Sequence, residues 1–396
     1  MASPLVLQSD QGTALLRPRG RVARRPPRTR LDGVPRTVGG RWVVRVLLAT
    51  PYALLAWVGS LNPLADTPNA QLIARVGGIS WDLADASWIG EIYPQIPTLL
   101  AALAPDRLLL GLVGALVAGA LLQRVLEIMV QRRFRITTIV ILMIALGANP
   151  LFAFTTTENV AAIIGLTLFG IGLADLVRFI TWRNTSSGFR AGILFLCAVL
   201  ADQSGLLYVA TAAVTAPFLR LARAGQRGAR AANVLVIVYP AAAVLASLSM
   251  LNWFFLGTPF GNFVQNLEEN AVPASDLMHT VFATPTGWLL IAPVLCTWLI
   301  ALILRHPGAI VVSTMVFAAI LLSRIVGLIP NNSAGNTFII MLLMAIALIP
   351  TARTAVTNVL VNLVAVLQIG IGWTAGFTNR IVLEWMSQLS SSAGLG

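Results

Sequence analysis

Apolar runs of helix-spanning length recur from residue 44 almost to the end of the chain, separated by short polar segments. A run of about 20 apolar residues is long enough to cross a hydrocarbon core of about 30 Å as a helix. In lipid only a helix or a closed barrel satisfies its own backbone donors and acceptors. The runs fall at 44–61, 108–130, 136–154, 160–180, 232–255, 288–304, 309–328, 337–349 and 355–373. Two shorter apolar halves at 191–219 flank the polar break ADQSG at 201–205. The expectation is an all-α, polytopic membrane protein of about eleven transmembrane helices. Composition agrees: 11% of residues are charged, against about 25% in a soluble domain.

Arginine sets the expected orientation. The chain has 27 basic residues, all arginine, and ten of them precede residue 46. Most others sit in short turns, at QRRFR (131–135), 178–190, 220–230, RHP (305–307) and TAR (351–353). Basic turns stay on the cytoplasmic side, so the amino terminus is expected inside and the carboxyl terminus outside. The expected organisation is a disordered Arg/Pro-rich cytoplasmic tail at 1–41 and a multi-span domain at 42–376. Its first external loop is 62–107, and a short extracytoplasmic tail follows at 377–396. No cleavable signal peptide is expected, because no small-residue cleavage site follows the first apolar run. This distribution of charge argues against a nucleic-acid partner and for contact with membrane lipids.

The acids give independent information, because the positive-inside rule counts only bases. Eleven of the 15 carboxylates fall on the predicted outer side; only Asp10, Asp32, Glu127 and Asp175 fall inside. The inner Glu127 and Asp175 are expected to pair with Arg124, Arg178 or the QRRFR turn. The two histidines and two cysteines have no metal-ligand spacing, so neither a metal site nor a cofactor is implied. Glu268 and Glu269 read as hydrated loop acids, and Glu158, in the turn TTTEN (155–159), as solvated or lining a cavity.

The outer side concentrates in one stretch, 80–105, where Asp82, Asp85 and Glu91 lie among Trp81, Trp88, Tyr93 and three prolines. Asp82 and Asp85 are three residues apart, which on a helix puts both on one face. Residues 80–92 therefore read as a short surface helix with aromatic side chains in the headgroup layer. A carboxylate beside a second acid and partly desolvated by aromatics suits a general base for a hydroxyl nucleophile. Arg75 and Arg107 flank the loop, and Arg324 lies near the outer end of its span. An arginine at that depth is costly unless it snorkels, pairs or meets an anion. These three are the candidate phosphate-binding residues.

Four features together resemble the C-type (GT-C) integral-membrane glycosyltransferases. An acidic cluster follows the first span at Asp82 and Asp85. A YP-x-x-P-T-L-L stretch (93–100) enters the next span. Paired short apolar halves occur at 191–219, and LNWFFLGTPFGN (251–262) is similar to the N-x-x-x-F-G-x-P-F stretch at an outer span end. The resemblance implies transfer of a sugar from a lipid-linked, polyprenyl-phosphate donor to a glycan or lipid hydroxyl acceptor outside a bacterial cell membrane. It implies Asp82 or Asp85 as the base, with Glu91 as the remaining acid of the loop, and substrate contacts from Arg324, Arg75, Arg107, Tyr93 and Glu158. Gln95 stands where the family has a second proline. A non-catalytic scaffold or accessory subunit of envelope assembly is the alternative. A transporter or flippase comes third, because the single broken pair at 191–219 has no counterpart elsewhere.

Overall fold

A computed structural model describes residues 34–81, 88–182, 184–217, 229–260, 263–331, 333, 336–348 and 354–392. All regular structure among them is helical. The chain begins with α1 (Val38–Leu61), followed by α2 (Pro68–Gly78), α3 (Trp88–Glu91) and α4 (Gln95–Leu103). Next come α5 (Arg107–Gln131), α6 (Ile136–Gly147), α7 (Pro150–Glu158) and α8 (Val160–Trp182). The middle contains α9 (Thr185–Ala201), α10 (Gly205–Thr215), α11 (Ala229–Leu256), α12 (Phe263–Asn270) and α13 (Ala274–Ala283). The remainder is α14 (Pro285–Ile303), α15 (Pro307–Ile325), α16 (Asn336–Leu348), α17 (Ala355–Thr378) and α18 (Arg380–Ser392).

Seven helices are long and apolar enough to cross a membrane: α1, α5, α8, α11, α14, α15 and α17. The bent pair α6 and α7 makes eight if it forms one span. The chain is thus a multi-pass membrane protein by helix length and composition. The pair bends by 53°, because Pro150 cannot donate to the preceding turn. Asn149 restarts the helix, its Oδ1 accepting from the Leu151 amide at 2.9 Å.

Three of the eleven expected spans are shorter. Helices α9, α10 and α16 have 17, 11 and 13 residues, and 11 residues at 1.5 Å each reach about 17 Å. Helix α16 is buried along its whole length except Ala347, which is half-buried. A short helix that is apolar all round belongs in a protein interior. It sits in the main core with α5, α7, α8, α9 and α10. At the other extreme α11 exposes Tyr239, Met250, Trp253 and Phe254, a large apolar surface.

Several expectations are corrected. Helix α1 begins at Val38, with Thr37 as its N-cap, so 38–41 belong to the first helix; residues 1–33 lie outside the described residues. TTTEN is not a solvated turn. Thr155–Thr157 and Asn159 are buried, because Asn69 of α2 stitches the α7–α8 junction. Asn69 Nδ2 donates to the Thr157 carbonyl at 3.0 Å, and its Oδ1 accepts from the Val160 amide at 2.9 Å. The break at 201–205 is enclosed too, since Asp202 is buried and accepts a hydrogen bond from buried Tyr208. The short terminal helix expected after the last span is present as α18, and it packs onto the bundle with Trp385 meeting Phe154 edge-on.

Candidate functional site

The two ends of the bundle are built differently. At one end, α5, α8 and α9 meet through a buried ion network. Arg124 bridges Glu127 and Asp175 at 2.9 Å each. Arg178 reaches Glu127 at 2.9 Å and Asp175 at 3.5 Å, and Arg190 reaches the second Asp175 oxygen at 2.8 Å. Gln123 and Gln131 donate to Glu127. The expected pairing of Glu127 and Asp175 with Arg124 and Arg178 is present, so these acids are structural. Arg132 of the QRRFR turn instead donates to the carbonyls of Ile346 and Ala347, at 2.6 and 2.9 Å. It thereby satisfies the carboxyl end of the inner helix α16.

The opposite end gathers α2, α3, α4, α12 and α13, and holds two separate cavities. The first, of about 350 Å³, is lined by Arg75, Glu91, Tyr93 and Gln95 on one wall and by Leu245, Ser249 and Asn252 of α11 on the other. Phe260, Phe263 and Asn266 complete it. The motif at 93–100 and the motif at 251–262, more than 150 residues apart in sequence, therefore face each other across one cavity. Gly90 lets the walls approach, since a Cβ there would stand 2.5 Å from the Leu256 side chain. Tyr93 and Phe263 pack edge to face at 5.3 Å.

Polar groups in this cavity are incompletely used. Arg75 Nη2 donates to Thr98 at 2.7 Å. Tyr93 Oη and Gln95 Oε1 are buried without a hydrogen-bond partner among the described residues. Burial pushes the Tyr93 phenol above its ordinary range, with the charge of Asp202 adding to the effect, so it stays a neutral donor.

The second cavity, of about 330 Å³, lies among the ends of α14, α15, α16 and α17 and contains Arg324. Arg107 belongs to neither cavity. Its Nη1 donates to the Leu64 carbonyl at 2.5 Å, and its charge faces Glu158, which Thr67 also contacts. The three candidate phosphate-binding arginines, Arg75, Arg107 and Arg324, thus occupy three places. Of the expected catalytic acids, Glu91 lines the first cavity, in the four-residue helix α3. Asp82 and Asp85 lie outside the described residues, as does the 82–87 part of the surface helix expected at 80–92, whose later part is α3.

The residues that sequence reasoning did not single out are Ser249 and Asn266 in the first cavity and Ser333, Thr337 and Arg380 in the second. Isolated polar residues at helix ends carry no pattern that separates a lining residue from a cap. Comparison with known proteins gives no match: no family model, no curated protein and no solved structure matches the chain.

Proposed function

We propose that the chain is a membrane glycosyltransferase that moves a sugar from a polyprenyl-phosphate donor to a hydroxyl acceptor at the outer face of a bacterial cell membrane. The observation that carries this reading is the cavity in which Arg75, Glu91, Tyr93 and Gln95 meet the polar edge of α11. Glu91, Tyr93 and Gln95 belong to the acidic, aromatic stretch 80–105, and α11 exposes large apolar side chains of the kind that suit lipid. The cavity's size is at the lower end of small-molecule sites, which run from about 300 to 1,000 Å³.

In this reading the acceptor oxygen attacks the anomeric carbon while the bond from that carbon to the donor phosphate oxygen breaks. The phosphate leaves with the bonding electrons, and the acceptor proton passes to a carboxylate. Glu91 is the base among the described residues, and Asp82 and Asp85, which immediately precede α3, are the other candidates. Arg75 neutralises the leaving phosphate, and the Tyr93 hydroxyl donates to a sugar or phosphate oxygen. Cell-envelope glycan synthesis is the setting that such a donor implies.

The test is transfer by the full-length protein in nanodiscs supplied with radiolabelled polyprenyl-phosphate hexoses and pentoses and with envelope glycan acceptors. Glu91→Gln, Asp82→Asn and Asp85→Asn are assayed singly. Replacing the residue that acts as base should lower transfer by about 10²–10⁴, and Arg75→Gln should lower it with folding intact. Unchanged transfer in all three acid variants, or none by the wild type, removes the reading. The second outcome favours a scaffold.

A further inference from the structure

The cavity around Arg324 has the more unusual chemistry. Its floor holds Arg324 at the end of α15, Ser333 in the following connection and Thr337 in the first turn of α16. Ser333 and Thr337 are each 5% exposed. Arg324 Nε, Ser333 Oγ and Thr337 Oγ1 are all buried and lack a hydrogen-bond partner among the described residues. No carboxylate among those residues stands within ion-pair distance of Arg324. Leu151, Leu290, Pro293 and Phe338 make the walls apolar. The rim is exposed and polar, with Thr286, Asn331, Thr378 and Arg380. Glu384 is the nearby acid, and it is held by Arg380 at 2.7 Å.

A half-buried arginine whose Nε is enclosed, with no counter-ion among the described residues, is costly, and unpaired buried hydroxyls add to the cost. The local backbone holds the arrangement in place. Gly327, at φ 82°, turns the chain out of α15, and Leu328 donates back to the Ser323 carbonyl at 2.8 Å. The Arg324 carbonyl accepts from the Val272 amide at 3.1 Å, while Asn331 is tied to Asn270 at 3.0 Å. A fixed cationic fork, two inward hydroxyls and a second arginine at the mouth match the donor set for an oxyanion with several acceptor atoms.

We propose that Arg324, Ser333 and Thr337 form the floor of a binding site for a phosphate group, entered past Thr378 and Arg380. The site is separate from the cavity of Arg75 and Glu91 and does not depend on the transferase reading. The phosphate belongs either to a free soluble anion or to the headgroup of an anionic lipid, since both present the same oxygens.

Two arms distinguish the sources, using the full-length protein. In phosphatidylcholine nanodiscs, inorganic phosphate is titrated at constant ionic strength while thermal unfolding is followed. In phosphate-free buffer, discs containing phosphatidylglycerol are used and retained lipid is counted by native mass spectrometry. A phosphate-dependent rise in Tm assigns a soluble anion, and lipid retention without that rise assigns a headgroup. Arg324→Gln should weaken whichever ligand binds by at least about tenfold, the loss of one charge-assisted hydrogen bond. The double variant Ser333→Ala with Thr337→Val keeps the charge and should weaken binding severalfold. It decides the matter if Arg324→Gln fails to fold. Glu91→Gln should leave both arms unchanged, which separates this site from the transfer chemistry. A wild type that responds in neither arm overturns the proposal, as do floor variants that bind as the wild type does.

Discussion

Arg124 and Arg178 at one end of the bundle and Arg324 at the other are the same residue type in enclosed surroundings, yet they are treated in opposite ways. The first two share Glu127 and Asp175 at 2.9–3.5 Å, with Gln123 and Gln131 completing the shell around Glu127. Arg324 lines a cavity with two hydroxyls that have no partner among the described residues. A charge network closed on itself holds α5, α8 and α9 in register. A cation left open has nothing to hold, and its burial makes sense when something else supplies the negative charge.

The largest expected effect breaks the closed network. Asp175 is fully buried and serves three arginines, so Asp175→Asn leaves a cluster of buried positive charge with only Glu127 to offset it. Loss of one partner from a buried pair costs about 3–5 kcal/mol. A large fall in the unfolding midpoint in detergent is expected, and a change of a degree or less would show that water already screens the network.

Smaller effects should follow at the loop end, where hydrogen bonds and backbone geometry rather than charge hold the cavities open. Asn69→Ala strands the Val160 amide and the Thr157 carbonyl in a buried junction, at a cost of about 2–3 kcal/mol. Asn69→Asp, which keeps one acceptor, should recover part of that in the same thermal assay. Gly327→Ala forces a side chain into a left-handed backbone position where its Cβ would strike the Leu267 carbonyl. Roughly 1–3 kcal/mol is expected, together with weaker phosphate binding, because this turn leads from Arg324 to Ser333.

Much of the closed end could be read from the sequence. Arg124 with Glu127 and Asp175 with Arg178 each stand three apart on apolar helices, so their pairing followed from helical spacing and from the shared side of the membrane. The open end was legible only in part. Tyr93, Glu91 and Arg75 do share a cavity, as their neighbourhood in the first loop suggested. The separation of Arg324 from them depends on how α12 and α13 lie across the bundle, and loop placement leaves no periodic trace. Helix α16 misled for another reason: an apolar run of eleven residues reads the same whether it faces lipid or other helices. Asn69, Ser333 and Thr337 are single polar residues in unremarkable contexts, and their roles emerge only from what surrounds them.

The smallest expected effect is the sharpest test of the comparison. Arg324→Gln removes a charge that makes no ion pair among the described residues, so no partner is orphaned by its loss. Glutamine keeps a donor and adds an acceptor beside Ser333 and Thr337. In ligand-free conditions the stability change should stay within about 0.5 kcal/mol, and relief of the desolvation cost would make it slightly stabilising. Adding phosphate or an anionic lipid should then separate the two proteins, because only the wild type gains from the ligand in proportion to its occupancy. The contrast with Asp175→Asn is therefore twofold: the closed network loses stability under all conditions, whereas the open arginine loses only its response. A destabilisation of several kcal/mol by Arg324→Gln without ligand would place Arg324 with the structural charges and remove the distinction between the two ends.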